Sequence, residues 1–258
     1  SYTDSHGCVG KDTNQTQVVA GPNVQFTGIA TAYCKNTASF SLLSKATPTG
    51  GVFQIDHVSG NSFNPSNLGT GSHTISYSVT DALGCSDTDS LVVYVNPVST
   101  SSITGLGSSY CENDADINLI VSPSGGSLSG NGINGSTFQP SDSNLVIGQN
   151  SITYIYSNPY GCSDTAIAST IIKAITPISL SLTNTSFCSN DSLVPIQVSP
   201  TGGTLTGTGV NSGQMTFDPA NANAGSNLIS YYYYNSDACV SSDSVTVFVH
   251  TPSQVSFT

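Results

Sequence analysis

Three stretches of the chain alternate apolar and polar residues at every second position. Ile75, Tyr77 and Val79 sit between Ser76, Ser78 and Thr80, and the same rhythm returns at Ile152, Tyr154 and Tyr156 and at Ile229, Tyr231 and Tyr233. A period of two marks a β-strand with one face buried and the other in water. Later strands read as Leu91-Val92-Val93-Tyr94-Val95 and Val245-Thr246-Val247-Phe248-Val249, and earlier ones as 117–121 and 193–198. Asp81-Ala82-Leu83-Gly84 supplies hairpin-turn residues between two of them. No stretch has a convincing helical period. Six or seven short strands in each stretch of about 77 residues, bounded by turn clusters, predict an all-β fold of tandem Ig-like β-sandwich domains in an extended rod.

The strands belong to a repeat. Cys34, Pro48-Thr49-Gly50-Gly51, Phe63-Asn64-Pro65 and Gly84-Cys85 recur at matching places up to Cys111 and Cys162, then Cys188 and Cys239. Cysteines within a repeat are 51 residues apart and the next repeat's first cysteine follows 26 later, so the period is 77. Prolines 22, 97, 177 and 252 follow the closing cysteines and are natural seams, because proline cannot donate to a strand ladder. The expected domains are residues 22–97, 98–176 and 177–252, preceded by a remnant of another repeat at 1–21 and followed by the start of a next one at 253–258. Ser1 to Cys8 matches Ser78 to Cys85 position for position, so Cys8 is the second cysteine of a repeat and is expected to be unpaired in this window of a longer array. No Gly/Ser-rich or charged spacer surrounds the seams, and linkers this short favour a semi-rigid array.

Charge narrows the function classes. Four basic residues stand against 15 acidic ones, a net charge of −11, which argues against nucleic acid and anionic membrane surfaces as partners. No apolar run approaches the roughly 20 residues of a membrane-spanning helix. Only 7% of residues are charged, so Ser, Thr, Asn and Gly must carry solubility. Cysteines at fixed spacing point to an oxidising, extracellular setting rather than to reduced thiols in a cytosolic core.

The unit [Phe/Tyr]-Cys, Pro-x-Gly-Gly, Phe-x-Pro, Ile-x-Tyr, Gly-Cys resembles the Ig-like and PKD-like repeats of very large bacterial surface adhesins exported by the type 9 secretion system, including gliding-motility adhesins of the SprB type. The hairpin Ser76-Tyr77-Ser78-Val79-Thr80-Asp81-Ala82-Leu83-Gly84-Cys85 carries the closest likeness. The resemblance implies a structural stalk or spacer on the bacterial cell surface, working in gliding motility or surface attachment. Its partners would be secretion and surface-anchoring machinery, surface polysaccharide and neighbouring repeats of the same chain. The alternative is an array of carbohydrate-binding modules in a secreted protein. No enzyme activity, catalytic residue or bound cofactor is expected.

Loop entropy does not choose among cysteine pairings, since loops of 51 and 26 residues differ by only about half a kcal/mol. Geometry disfavours Cys85 with Cys111, because two collinear strands of about six residues would separate them by roughly 40 Å, against the roughly 7 Å that a disulfide tolerates between Cα atoms. Pairing within each repeat follows: Cys34–Cys85, Cys111–Cys162 and Cys188–Cys239.

Other motifs carry weaker signals. His6, His57, His73 and His250 occupy non-equivalent positions in the repeat, unlike a recurring catalytic or metal site. Gly130-Asn131-Gly132-Ile133-Asn134-Gly135 matches a dinucleotide fingerprint by letter, but no helix can follow it, so it reads as a glycine turn. Asp114, Asp116 and Asp191 are oxygen donors close enough in sequence to be calcium candidates, although the first repeat has Lys35 in that corner. Tyr232 and Tyr234 should face outward as a candidate ligand platform, against the plainer reading of cross-strand pairing. Ser90, Thr165, Ser192 and Ser244 lie in Asp-[Ser/Thr]-apolar triplets that resemble the O-glycosylation signal of the same bacterial group. Asn14, Asn134, Asn184 and Asn190 begin Asn-x-[Ser/Thr] triplets.

Overall fold

A computed structural model describes residues 1–252; the expected start of a further repeat at 253–258 lies outside the described residues. Among the described residues every regular element is a β-strand, apart from two single 3₁₀ turns at Pro65–Asn67 and Pro219–Asn221. Those turns are the Phe-x-Pro motifs. Asn64 and Asp218 cap them by accepting from the backbone N–H groups of Ser66 and Ala220, and the proline occupies the position where a missing N–H costs nothing. Packing divides the chain into two compact units. Of the described residues, one comprises 1–99 and 157–164, the other 100–156 and 165–252.

In the first unit, a five-stranded sheet runs in the order Ala32–Cys34, Ser86–Asn96, Gly71–Thr80, Val52–Ile55 and Val58–Ser59. Its long hairpin pairs Ile75 with Leu91 and Val79 with Asp87, so Ile75, Tyr77, Val79, Val93 and Val95 all turn to one face and are buried. Two short pairs lie across from that face, Gln25–Phe26 with Ala46–Thr47 and Phe40–Ser41 with Ser62–Phe63. They contribute Ala46 and Phe63 to the same core, together with Leu42 and Phe53. The result is sandwich-like packing.

The second unit contains two further sandwiches of the same plan, except that the hairpin tip 157–164 of one belongs to the first unit. One has the sheet Ser109–Cys111, Ser163–Lys173, Gly148–Ser157 and Ser127–Ser129, with Phe138, Ile152, Tyr154 and Ile172 buried. The other has Ser186–Cys188, Val240–His250, Gly225–Tyr234 and Thr204–Thr206, facing a four-stranded sheet that includes Ser179–Leu182 and Val194–Ser199. Phe187, Ile196, Phe217, Ile229, Tyr231 and Val247 fill its core.

The Pro-x-Gly-Gly motif is explained by a buried tyrosine. The hydroxyls of Tyr77, Tyr154 and Tyr231 donate to the carbonyls of Pro48, Pro123 and Pro200. Each also accepts from the backbone N–H of the second glycine, Gly51, Gly126 or Gly203. A Cβ at Gly203 would lie 2.3 Å from the Tyr232 carbonyl oxygen and 2.6 Å from the Tyr231 ring, so no larger residue fits. The preceding Gly202 has φ +100°, a conformation that side-chain-bearing residues rarely adopt. The dinucleotide-like run is likewise a turn, with Gly130, Gly132 and Gly135 all at positive φ and a strand, not a helix, at Ile133–Asn134.

Substituting Tyr231→Phe removes one oxygen and leaves a buried carbonyl and a buried N–H without partners, at a cost of about 1–3 kcal/mol. Urea denaturation of the full chain should show that loss. An unchanged midpoint would mean that the hydroxyl is dispensable.

Candidate functional site

The strand that carries the first cysteine of each repeat runs parallel to the last strand. Ala32, Tyr33 and Cys34 pair in register with Tyr94, Val95 and Asn96, and Phe187–Cys188 pair with Val249–His250 in the same way. This register places Cys34 beside the far end of the strand Ser86–Asn96, whereas Cys85 precedes its near end. Eleven residues of strand at about 3.3 Å each separate the two by roughly 36 Å, so the expected Cys34–Cys85 pairing is geometrically excluded. The expected Cys111–Cys162 and Cys188–Cys239 pairings fail for the same reason.

The disulfides are instead Cys34–Cys162 and Cys111–Cys239, with Cα atoms 5.5 and 5.6 Å apart. Both close loops with a sequence separation of 128, one period plus one intra-repeat spacing. The first cysteine of one repeat therefore bonds the second cysteine of the next. Cys8, Cys85 and Cys188 are free and exposed.

Each bond is set by two turns. The second cysteine ends a hairpin tip built on one side chain: Asn158 Oδ1 accepts from the N–H groups of Tyr160 and Cys162, and Asn235 Oδ1 from those of Asp237 and Cys239. The free amide of that asparagine then donates outward, Asn158 Nδ2 to the Pro97 carbonyl at 2.7 Å and Asn235 Nδ2 to the Ala174 carbonyl at 2.8 Å. Facing the tip, the residue two beyond the first cysteine donates back. Asn36 Nδ2 reaches the Ser163 carbonyl and Asn113 Nδ2 the Val240 carbonyl, both at 2.9 Å. Each docking therefore rests on a disulfide and two amide hydrogen bonds. Cys162 and Cys239 are buried in it.

Sequence reasoning overlooked those asparagines. A signal was available in the recurring Cys-x-Asn of Cys34-Lys35-Asn36, Cys111-Glu112-Asn113 and Cys188-Ser189-Asn190. The corners at Cys111 and Cys188 supplied the calcium candidates, and the structure gives those carboxylates other partners. Asp114 Oδ2 accepts from the Cys111 N–H, Asp191 Oδ2 from the Cys188 N–H, and Asp116 Oδ2 from the Gln139 side chain. Among the described residues no group of three or more His, Cys, Asp or Glu side chains could hold a metal.

Tyr232 and Tyr234 point outward, 39% and 65% exposed. Ser90, Thr165, Ser192 and Ser244 are all exposed. Among the described residues no helix is long and apolar enough to cross a membrane.

His73 forms a second polar constellation. Its Nδ1 lies 2.6 Å from Asp56 Oδ2 and its Nε2 lies 2.8 Å from the Gly69 carbonyl. Both partners are acceptors, so both ring nitrogens must carry hydrogen for both bonds to form, which only the imidazolium can do. Partial burial works against the charge, but the hydrogen bonds to Asp56 and Gly69 outweigh it and raise the His73 pKa above 6.5. The hydrogen bond from His73, followed by that from the Thr74 N–H, lowers Asp56 below 3.8. Asp56 and His57 sit at φ +48° and +69°, so the clamp pins a tight turn.

No protein-family profile matches the chain, and no curated protein sequence matches it. Three solved structures illustrate the likeness found. A Ca²⁺-stabilised ice-binding adhesin of an Antarctic bacterium is 12% identical over 90% of this chain and 74% of that one, with a TM-score of 0.29. A chain from a 1.5-MDa bacterial ice-binding adhesin is 11% identical over 90% and 98%, with a TM-score of 0.28. SGBP-B of a Bacteroides ovatus mixed-linkage glucan utilization locus, in complex with a mixed-linkage heptasaccharide, is 14% identical over 91% and 72%, with a TM-score of 0.23. At these scores none carries an argument about ligand or role.

The histidine clamp has a pH signature. Because the folded pKa of His73 is raised, its contribution is complete below pH 6.5 and fades as pH rises through the folded value. The Asp56 contribution is present above pH 3.8 and fades as pH falls through its lowered value. His73→Gln should therefore remove a fall in thermal stability above pH 6.5, measured by circular dichroism from pH 5 to 8.5. Parallel profiles for the two proteins would contradict the assignment.

Proposed function

We propose that the chain is a load-bearing spacer, a run of stalk repeats in a large bacterial cell-surface adhesin that serves surface attachment or gliding motility. The single observation that supports this reading is the cross-repeat disulfide. A binding domain needs stability within itself, which a bond inside each sandwich would supply. A bond from one repeat into the next adds nothing to a binding face but stops neighbours from parting under tension. Closing a loop of about 128 residues is worth about 5 kcal/mol by the chain-entropy argument. The exposed hydroxyl residues Ser90, Thr165, Ser192 and Ser244 suit the O-glycosylation expected of such a surface protein. Disulfides of this kind fit an oxidising compartment outside the cytoplasm, and the resemblance of the repeat motifs supports the bacterial surface and the type 9 export route.

The domains in this reading are the three sequence repeats at 22–97, 98–176 and 177–252. Their covalent wiring shortens the path that carries force. It runs from the N-terminus to Cys34, crosses to Cys162, returns to Cys111 and crosses to Cys239, using about 100 residues of the 258. Single-molecule stretching from the two ends should give a contour length of about 350 Å when oxidised and about 880 Å when reduced, at roughly 3.4 Å per residue. Equal lengths in the two states would remove the mechanical role.

A further inference from the structure

Two grooves recur beside the Phe-x-Pro turns. In the first repeat the strand Val58–Ser59 and the turn residues Asn64 and Asn67 border a cavity of about 380 Å³, floored by Ile55 and Leu68. In the third repeat the strand Val210–Asn211 and the turn residues Asp218 and Asn221 border one of about 420 Å³, with Leu193 beside them. Both volumes fall within the roughly 300–1,000 Å³ of small-molecule sites. The borders match by position: valine then serine or asparagine on the strand, and Phe-[Asn/Asp]-Pro-x-Asn at the turn. Each groove lies within one compact unit of the chain.

The polar atoms left unused define the ligand. Asn64 Oδ1 is taken by the Ser66 N–H and hydroxyl, so its Nδ2 is free, as are the Asn67 amide and the Ser59 hydroxyl among the described residues. In the third repeat Asn221 Nδ2 donates to Asp218 Oδ2 at 2.6 Å and Asn211 Nδ2 to Gln214 Oε1 at 3.2 Å. That leaves the Asn221 carbonyl oxygen and the Gln214 amide nitrogen. Each groove thus sets amide donors and an oxygen acceptor beside aliphatic carbon. Sugar rings are the complement, with hydroxyls that both donate and accept and with C–H faces. Charged ligands are disfavoured on both signs. No lysine borders either groove, and a net charge of −11 repels anions. Both oxygens of Asp56 and of Asp218 are already bonded within the protein, which leaves little for a cation. The second repeat differs. Its connection after the turn runs 12 residues from Pro140 to Ile152, against 10 from Pro65 to Ile75 and from Pro219 to Ile229. There Asn131 donates to the Asn144 carbonyl, Gln139 to Asp116, and Asp142 accepts from Asn144, so the polar side chains hold one another.

We propose that these two grooves bind a neutral oligosaccharide, one site in the first repeat and one in the third, with Asn67 and Asn221 as the equivalent residues that hydrogen-bond its hydroxyls. Val58 and Val210 lie against the C–H face of the sugar. Ser59 and Asn64 complete the first site, and Gln214 completes the second. The second repeat carries no such site. This role goes beyond the spacer reading and does not depend on it, because stretched length is measured without sugar and either result can fail alone.

The test is native affinity electrophoresis of the full oxidised chain through gels containing galactomannan, hydroxyethylcellulose or dextran, with polygalacturonate as the anionic comparison. At least one neutral polymer should retard the chain and polygalacturonate should not. Calorimetric titration with an oligosaccharide of the retarding polymer's backbone should then give two sites per chain. Asn67→Ala should weaken one site and Asn221→Ala the other, each about fivefold for one hydrogen bond of roughly 1 kcal/mol. The double variant should weaken both. Asp142→Ala in the second repeat, and Tyr232→Ala with Tyr234→Ala, should leave binding unchanged. Both asparagines are exposed and neither caps its turn, so melting by circular dichroism should stay the same. Should Asn221→Ala lower the melting temperature, Gln214→Ala reads the same groove away from the turn. Migration unaffected by all three neutral polymers, binding lost in the tyrosine variant, or full binding by the double asparagine variant would overturn the proposal.

Discussion

The disulfide from Cys34 to Cys162 ties two segments that belong to different sheets, and the bond from Cys111 to Cys239 repeats the arrangement one period on. Much of the remaining design makes that meeting possible. The parallel pairing of the cysteine-bearing strand with the last strand brings the first cysteine of a repeat to the end where the chain leaves for its neighbour. The hairpin that closes the next repeat returns its tip to that end. Asparagine holds the tip's shape with its oxygen and holds its position with its nitrogen, so one side chain does both.

Such reliance on covalent locks suits cores of this size. Each sandwich buries about ten apolar side chains or fewer and fills its surface with Ser, Thr and Asn. Small cores leave little margin. The tyrosine seated between a proline carbonyl and a glycine N–H gives each repeat an internal fastener that fixes the Pro-x-Gly-Gly turn. The clamp between His73 and Asp56 adds a charged fastener in the first repeat only, at a turn whose counterparts have different residues.

Much of the fold was legible in the sequence, because period-two alternation is a local property. Ile75, Tyr77, Ile152, Tyr154, Ile229 and Tyr231 were assigned inward and are buried. The cysteine pairing was not legible for a reason of the same kind. Local pattern reveals strands but not which strands lie side by side, and the parallel register of Ala32–Cys34 with Tyr94–Asn96 separates Cys34 from Cys85. The observed separation of 128 spans more than a full period and needs the next repeat to fold back, which spacings of 51 and 26 do not reveal. Asn113 is flanked by Glu112 and Asp114, which drew attention to a metal instead, and Asn36 lies between Lys35 and Thr37, where nothing local marks a docking role. His73 does not recur in the other repeats, and its pairing with Asp56, 17 residues away, shows no local motif.

The account stands or falls on which cysteines are joined. Mass spectrometry of the unreduced full chain, with free thiols alkylated before digestion, addresses this directly. The account requires the peptides Cys34–Cys162 and Cys111–Cys239, with Cys85 and Cys188 not joined to Cys34, Cys111, Cys162 or Cys239. Peptides joining Cys34 to Cys85, Cys111 to Cys162 and Cys188 to Cys239 would contradict it.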